Sequence, residues 1–259
     1  MVDFFKVIIY EPLYNGLVFL VGVVPFGDLG LAVIILTILV RLVLFPLSHK
    51  STKTQARMRT LEPEVREIKE RYKNDKQEQA KKTMELYQKH GMNPFSGCML
   101  LVVQLPVIIS LYFVFYGGLS SGLDQKILYS FVRPPEFFNP IFLGFIDLLG
   151  KSFLLAAGAG ISQYFQMKLA IPAIDKKKTP EPSFRDDLAK SFNVQMRYGL
   201  PVFVFFISYK ISAAVALYWL TTNLFSIGHE LYVRRETNLL TNTSAMAKFG
   251  ARQNNEPKQ

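Results

Sequence analysis

The sequence predicts an all-α polytopic membrane protein: five transmembrane helices with a cytoplasmic antiparallel helical hairpin. Half of the 259 residues are apolar and 14% are aromatic, yet the formal charge is +10. The charge is gathered in blocks and the apolar residues in long runs, whereas a soluble domain interleaves the two. One of the charged blocks also carries a helical apolar stripe, which marks a structured element rather than a linker.

The elements follow in chain order. Residues 1–28 are apolar but interrupted by Gly16, Gly22 and Pro25, which predicts a helical amphipathic segment lying at the membrane interface. Asp3 and Glu11 break its start, and neither an A-x-A site nor a lipid-accepting cysteine follows, which argues against a cleaved signal. Residues 29–47, "LGLAVIILTILVRLVLFPL", form the first span, about 28 Å long at the α-helical rise. Residues 95–117, 152–171, 198–210 and 211–229 supply the other four. The last two are short and turn around Tyr209-Lys210, which implies local thinning or tilting of the bilayer. Residues 118–151 and 172–197 read as the loops between them, and 230–259 as a basic tail.

Lysine and arginine set the orientation. Twelve lie between Ser48 and His90, seven more from Lys168 to Arg197, and five from Arg234 onward. The opposite side carries little beyond Lys6, Lys126, Arg133, Lys151 and Lys210. The N-terminus is therefore expected outside and the C-terminus in the cytoplasm.

The loop 48–94 is expected to fold as a helical hairpin. Met58, Leu61, Val65, Ile68 and Tyr72 recur at spacings of three and four, with Glu62/Arg66 and Glu67/Arg71 as supporting pairs. After a break at Asn74-Asp75, Asp75 caps a second helix in which Glu78 follows three residues on and Ala80, Met84 and Tyr87 face inward.

Arg41 sits inside the first span, where a guanidinium costs roughly 2.5–3.5 kcal/mol. The expected orientation puts Thr37 one turn from it, Gln163 and Gln166 on one face of the third long span, Thr222 and Asn223 in the last with Trp219 one turn deeper, and Gln104 in the second. All fall in the inner half of the membrane. Polar side chains there face a bundle interior or a water-filled cavity. The pattern predicts a hydrophilic cavity open to the cytoplasm and sealed outside by the apolar halves of the same helices. Taken singly, Arg41 reads as snorkelling to inner-leaflet phosphates, the glutamines as helix–helix hydrogen bonds and Trp219 as packing.

Several activities lack their motif. There is no G-x-x-x-x-G-K-[ST] loop for a nucleotide, and His49, His90 and His229 lack zinc spacing. The single cysteine, Cys98, excludes an internal disulfide framework, and no run of intramembrane Asp or Glu offers a proton relay. No enzyme, cofactor, metal or DNA partner is expected.

At this point a family resemblance becomes specific. "GLAVIILTILVRLVLFPLSHKS", "MRTLEPEVREIKERYKNDKQEQAKKTMELYQKHGMNPFSGC", "QLPVIISLY" and "ALYWLTTNLFSIGHE", in this order, resemble the YidC/Oxa membrane protein insertases from about Glu11 to Glu230. Without a large extracytoplasmic domain, the chain is similar to the short five-span bacterial form, a multi-pass protein of the cytoplasmic (inner) membrane. It departs from the usual pattern at Leu100, where the family has proline.

The resemblance implies a lipid-facing, cytosol-open hydrophilic groove that receives nascent membrane segments, with Arg41 attracting acidic residues of the translocated tail. Thr37 matches a position beside the arginine and Trp219 a groove aromatic. Gln166, in "QMK", matches the groove glutamine, with Gln163 the alternative register. The hairpin corresponds to a mobile substrate-recruiting loop. Nascent membrane proteins and the bilayer are the implied partners, with the ribosome and the Sec translocon as further candidates. The competing readings are an assembly chaperone or scaffold without insertion activity, and a transporter or channel subunit, which would show repeated halves and broken helices.

Overall fold

The computed structural model describes residues 5–93, 96–115, 124–171 and 191–253. The ends of the second expected span and most of the loop 172–197 lie outside them. The chain forms two compact units. One takes the chain up to Phe45 together with Leu101–Ile227; the other takes Pro46–Leu100 and the chain from Gly228 onward.

The elements of the first unit begin with a π-helical turn, Lys6–Tyr10, that continues into α1, Glu11–Val23. Gly16 and Gly22 do not break it, contrary to the sequence reading. A Cβ at Gly16 would lie 3.2 Å from Leu36, so the residue allows α1 to press closely on α2. The helix is apolar all round: Tyr14, Leu17 and Val18 are buried while Phe19 and Val23 are exposed. Lys6–Val23 is long and apolar enough to cross a membrane. Its exposed residues Phe19 and Val23 are apolar, where an amphipathic helix would show polar ones.

A turn at Pro25–Gly27 leads to α2, Leu29–Val43, whose first turn is capped by Asp28 accepting from the Leu31 amide at 3.0 Å. The helix ends four residues before the expected limit. Arg41 therefore occupies its last turn rather than a site well inside the span.

Two further helices, α3 (Phe45–Thr60) and α4 (Glu62–Arg71), meet at Leu61. Pro63 has no amide hydrogen to continue the helix across this point. α5 spans Lys76–Lys89 and α6 Ser96–Phe113.

The segment read as a loop contains a small β-hairpin, β1 (Ile141–Phe142) paired antiparallel to β2 (Ile146–Asp147). Sequence reasoning missed it, because "NPIFLGFID" lacks the alternation that announces a strand with one wet face. The hairpin locks the starts of three helices. Asn139 accepts from the Leu29 amide and donates to the Gly27 carbonyl; Gly150 and Leu148 accept from the amides of Ala213 and Ala214. Ser152 caps α7, Phe153–Ala170.

α8, Leu200–Ile211, follows a π-helical turn at Gln195–Gly199, and the helical run begins at residue 191. A run of 191–211 is about 31 Å long. The shortness expected of this span is thus corrected, and the turn after it falls at the extended residue Ser212 rather than at Tyr209-Lys210. α9, Ala213–Gln253, completes the chain. Gly160 on α7 lies at the seam with α8: a Cβ there would lie 3.0 Å from Phe205 Cβ. Small residues permit this approach where no water drives the helices together.

In the second unit, His49 of α3 and His229 of α9 share a hydrogen bond of 3.1 Å, and Lys53 pairs with Glu236 at 2.9 Å. Glu230 accepts from Arg234 at 3.0 Å. α4 and α5 pack side by side. Asp75 accepts from the amides of Gln77 and Glu78, as the sequence predicts. Asp75→Ala should destabilise the start of α5 by about 1 kcal/mol. Faster hydrogen exchange at those two amides, with the rest of the hairpin unchanged, is the expected reading.

Candidate functional site

Arg41 is half-buried at the C-terminal end of α2. The last turn of a helix leaves carbonyls without helical partners and carries the negative end of the dipole, so the backbone itself offsets part of the cost of the guanidinium. Among the described residues, Arg41 forms no ion pair and no hydrogen bond. The guanidinium interacts electrostatically with the Tyr218 hydroxyl of α9. Tyr218 is buried, and its hydroxyl accepts from Gln104 Nε2 of α6. Three helices thus bring Arg41, Gln104 and Tyr218 to one place.

Thr37 shares the face of Arg41 but faces apolar surroundings. Its hydroxyl donates to the Val33 carbonyl at 2.6 Å, within its own helix. Around it lies a small pocket lined by Leu13, Leu36, Val40, Val107, Leu111 and Tyr218. One turn beyond the arginine, the space between α1, α2, α6 and α9 is therefore hydrocarbon.

Gln163, Gln166 and Asn223 form a second cluster. Asn223 donates from Nδ2 to Ser162 Oγ at 3.1 Å and to the Ala159 carbonyl at 3.3 Å, tying α9 to α7. Gln163 is buried and donates to Gln166 Oε1 at 3.0 Å; Gln166 is half-buried. Tyr218 and Asn223 are five residues apart on α9, about 140° around the axis. The two clusters consequently lie on different flanks of that helix, and the polar positions grouped by depth do not all meet. Asn223→Leu should cost about 0.6–1.7 kcal/mol of bundle stability. It should lower the thermal midpoint in detergent while leaving the Gln163–Gln166 bond intact.

Trp219 is half-buried and packed against the bundle core. The residues that sequence reasoning missed are Tyr218 and Ser162. Tyr218 lies next to Trp219 in the chain, and its spacing of four to Thr222 is the signal that could have found it.

In the second unit the stripe residues differ in burial. Leu61 and Val65 are buried; Met58, Ile68, Tyr72, Met84 and Tyr87 are half-buried. Ala80 is exposed, and the adjacent Gln79 is the buried residue, donating to the Lys69 carbonyl at 2.9 Å. The register differs by one because this amide bonds the facing arm, which alanine cannot do. Burial raises the Tyr87 hydroxyl above its ordinary range, and Glu62 adds to the effect. A mixed-charge cleft opens between the arms, lined by Ile68, Tyr72 and Leu86 beside Glu64, Arg71 and Lys82.

These features define a helical membrane protein with an unneutralised arginine at the end of one of its apolar helices. Residues 21–240 match the 60Kd inner membrane protein family, and the chain belongs to that family. The resemblance to the YidC/Oxa proteins is thereby borne out. A membrane protein insertase YidC of Fusobacterium nucleatum subsp. nucleatum is 31% identical over 232 residues, which cover 88% of this chain and 98% of that protein. Proteins of the same description from Francisella tularensis subsp. novicida and subsp. tularensis are 33% identical over 209 residues, or 81% of this chain. The chain spans about a third of the length of these two relatives.

Proposed function

We propose that the chain is a membrane protein insertase that receives acidic tails of nascent membrane proteins at Arg41, in a groove open to the cytoplasm. The observation that carries this reading is the guanidinium itself: half-buried and, among the described residues, without a carboxylate partner, in a family whose relatives are described as insertases. An unpaired charge at the edge of hydrocarbon attracts an anion from outside. Moving a polar tail through lipid is costly because each backbone group loses its water, and a hydrated groove through part of the membrane shortens that path. Gln104 and Trp219 line the groove in this reading, Thr37 and the apolar pocket close its outer side, and Asn223, Gln163 and Gln166 hold the helices that form it.

Five helices cross the membrane in this reading: α2, α6, α7, α8 and the first part of α9. The N-terminus lies outside and the tail inside. Supporting this, the starts of α2 and α9 are bonded to the residues flanking one hairpin and α7 follows it directly, as alternate crossings require. α1 lies at the outer interface. Its Asn15 donates to the Ile127 carbonyl at 3.0 Å and accepts from the Tyr129 amide at 2.7 Å, which binds the middle of the helix to the outer loop. The α4–α5 hairpin lies in the cytoplasm and recruits substrate through its cleft; the basic tail offers the ribosome a contact.

The test is insertion of a single-span substrate with an acidic N-terminal tail into liposomes containing only this protein. Protease protection of the tail above that of protein-free liposomes is expected. Equal protection in both would replace this reading by an accessory chaperone that needs the Sec translocon.

A further inference from the structure

The structure assigns a lipid-binding role to the platform built from the Pro25–Gly27 turn and the β1–β2 hairpin: its apolar tips dip into the outer interfacial zone of the bilayer. The inference rests on the membrane placement proposed above.

Two bulky apolar residues in this platform have left-handed backbones, Phe26 at φ 59° and Leu143 at φ 54°. For such residues this region is disfavoured, and it persists only where the surroundings enforce it. Here the enforcement is visible. The turn and the hairpin strand are joined by the two Asn139 backbone bonds, and a Cβ at Gly27 would lie 2.2 Å from the Phe137 carbonyl oxygen, so the two backbones are in direct contact. The unfavourable conformations do not serve to bury the side chains. Phe26 is 87% exposed and Leu143 65%, with Phe137 and Phe145 similarly exposed beside them.

The surface continues onto Phe153 and Leu154, exposed in the first turn of α7 directly after the hairpin. It is thus continuous with a helix face that the proposed topology turns toward lipid. Exposed Arg133 and Lys151 flank it and suit anionic headgroups. An apolar, aromatic tip with a cationic rim on the end of a helical bundle has the composition of an interfacial anchor. The hairpin also holds the starts of α2, α7 and α9. Its depth would therefore fix the depth of Arg41.

The test uses the full chain with Cys98→Ser and single cysteines at Phe26→Cys, Leu143→Cys, Gln125→Cys or Phe206→Cys. Each is labelled with a fluorophore and reconstituted in phosphatidylethanolamine/phosphatidylglycerol vesicles containing nitroxide lipids labelled at shallow or deep carbons. At positions 26 and 143 the shallow quencher should remove more than about half of the emission and exceed the deep one, since the tips are expected within the headgroup boundary. Gln125, exposed in the same loop, should remain unquenched, and Phe206, exposed on α8, should be quenched by the deep label. Quenching at 206 without quenching at 26 and 143 overturns the inference and leaves the membrane placement standing. No quenching at any position overturns the placement as well. Emission at 26 and 143 that follows protein density rather than the nitroxide lipid identifies a second copy as the occupant and also overturns it.

Discussion

Arg41→Ala should reduce insertion of acidic-tailed substrates about tenfold or more, the equivalent of at least 1.4 kcal/mol of lost attraction. Purely apolar segments should insert within about twofold of wild type, since their transfer depends on hydrocarbon contact. Arg41→Glu should fall below Arg41→Ala for acidic tails, because a like charge then meets the cargo. Arg41→Lys should retain part of the activity, because charge is kept and the planar donor fork is lost. Raising the salt concentration should weaken the wild-type preference toward that of alanine if the arginine meets its substrate in a hydrated space. The measurement is protease-protected tail across a substrate panel with graded acidity. Equal losses for all substrates would show that Arg41 supports the bundle rather than the cargo.

Gly30→Ala should be strongly destabilising in the first unit. A Cβ at this position would lie 2.1 Å from the Phe142 ring, and that ring belongs to a strand held by backbone bonds to α2 and α9. Neither partner can move without disturbing the platform. The expected cost is about 3 kcal/mol or more, at the upper end for overpacking. Thermal unfolding in detergent should show it as a large drop in midpoint, or the protein should fail to accumulate. Phe142→Ala should restore much of the loss in the double variant although it is destabilising alone. Additive losses would mean that the ring has room to retreat.

The two predictions draw on different layers of the sequence. Arg41 was legible because a permanent charge inside "LTILVRLVLF" contradicts its surroundings, and the ordered motifs then specified the family. The start of α5 was legible in the Asp75 cap. What remained hidden depended on contacts between distant segments. The end of α2 at Val43 is masked because Leu44, Phe45 and Leu47 continue the apolar run. Gly30 has no local signal, since its reason is a phenylalanine over a hundred residues away. Tyr218 reads as one more aromatic until α6 supplies Gln104. The clustering of Asn223 with Ser162 rather than with Arg41 required the rotation of α9, which depth along a span does not contain.

α8 and α9 are joined through one extended residue, Ser212. Such a link has no slack with which to park the first helix in the bilayer while the second waits in water. In the proposed topology the two segments would therefore enter as a preformed antiparallel pair, carrying Lys210 across at the tip.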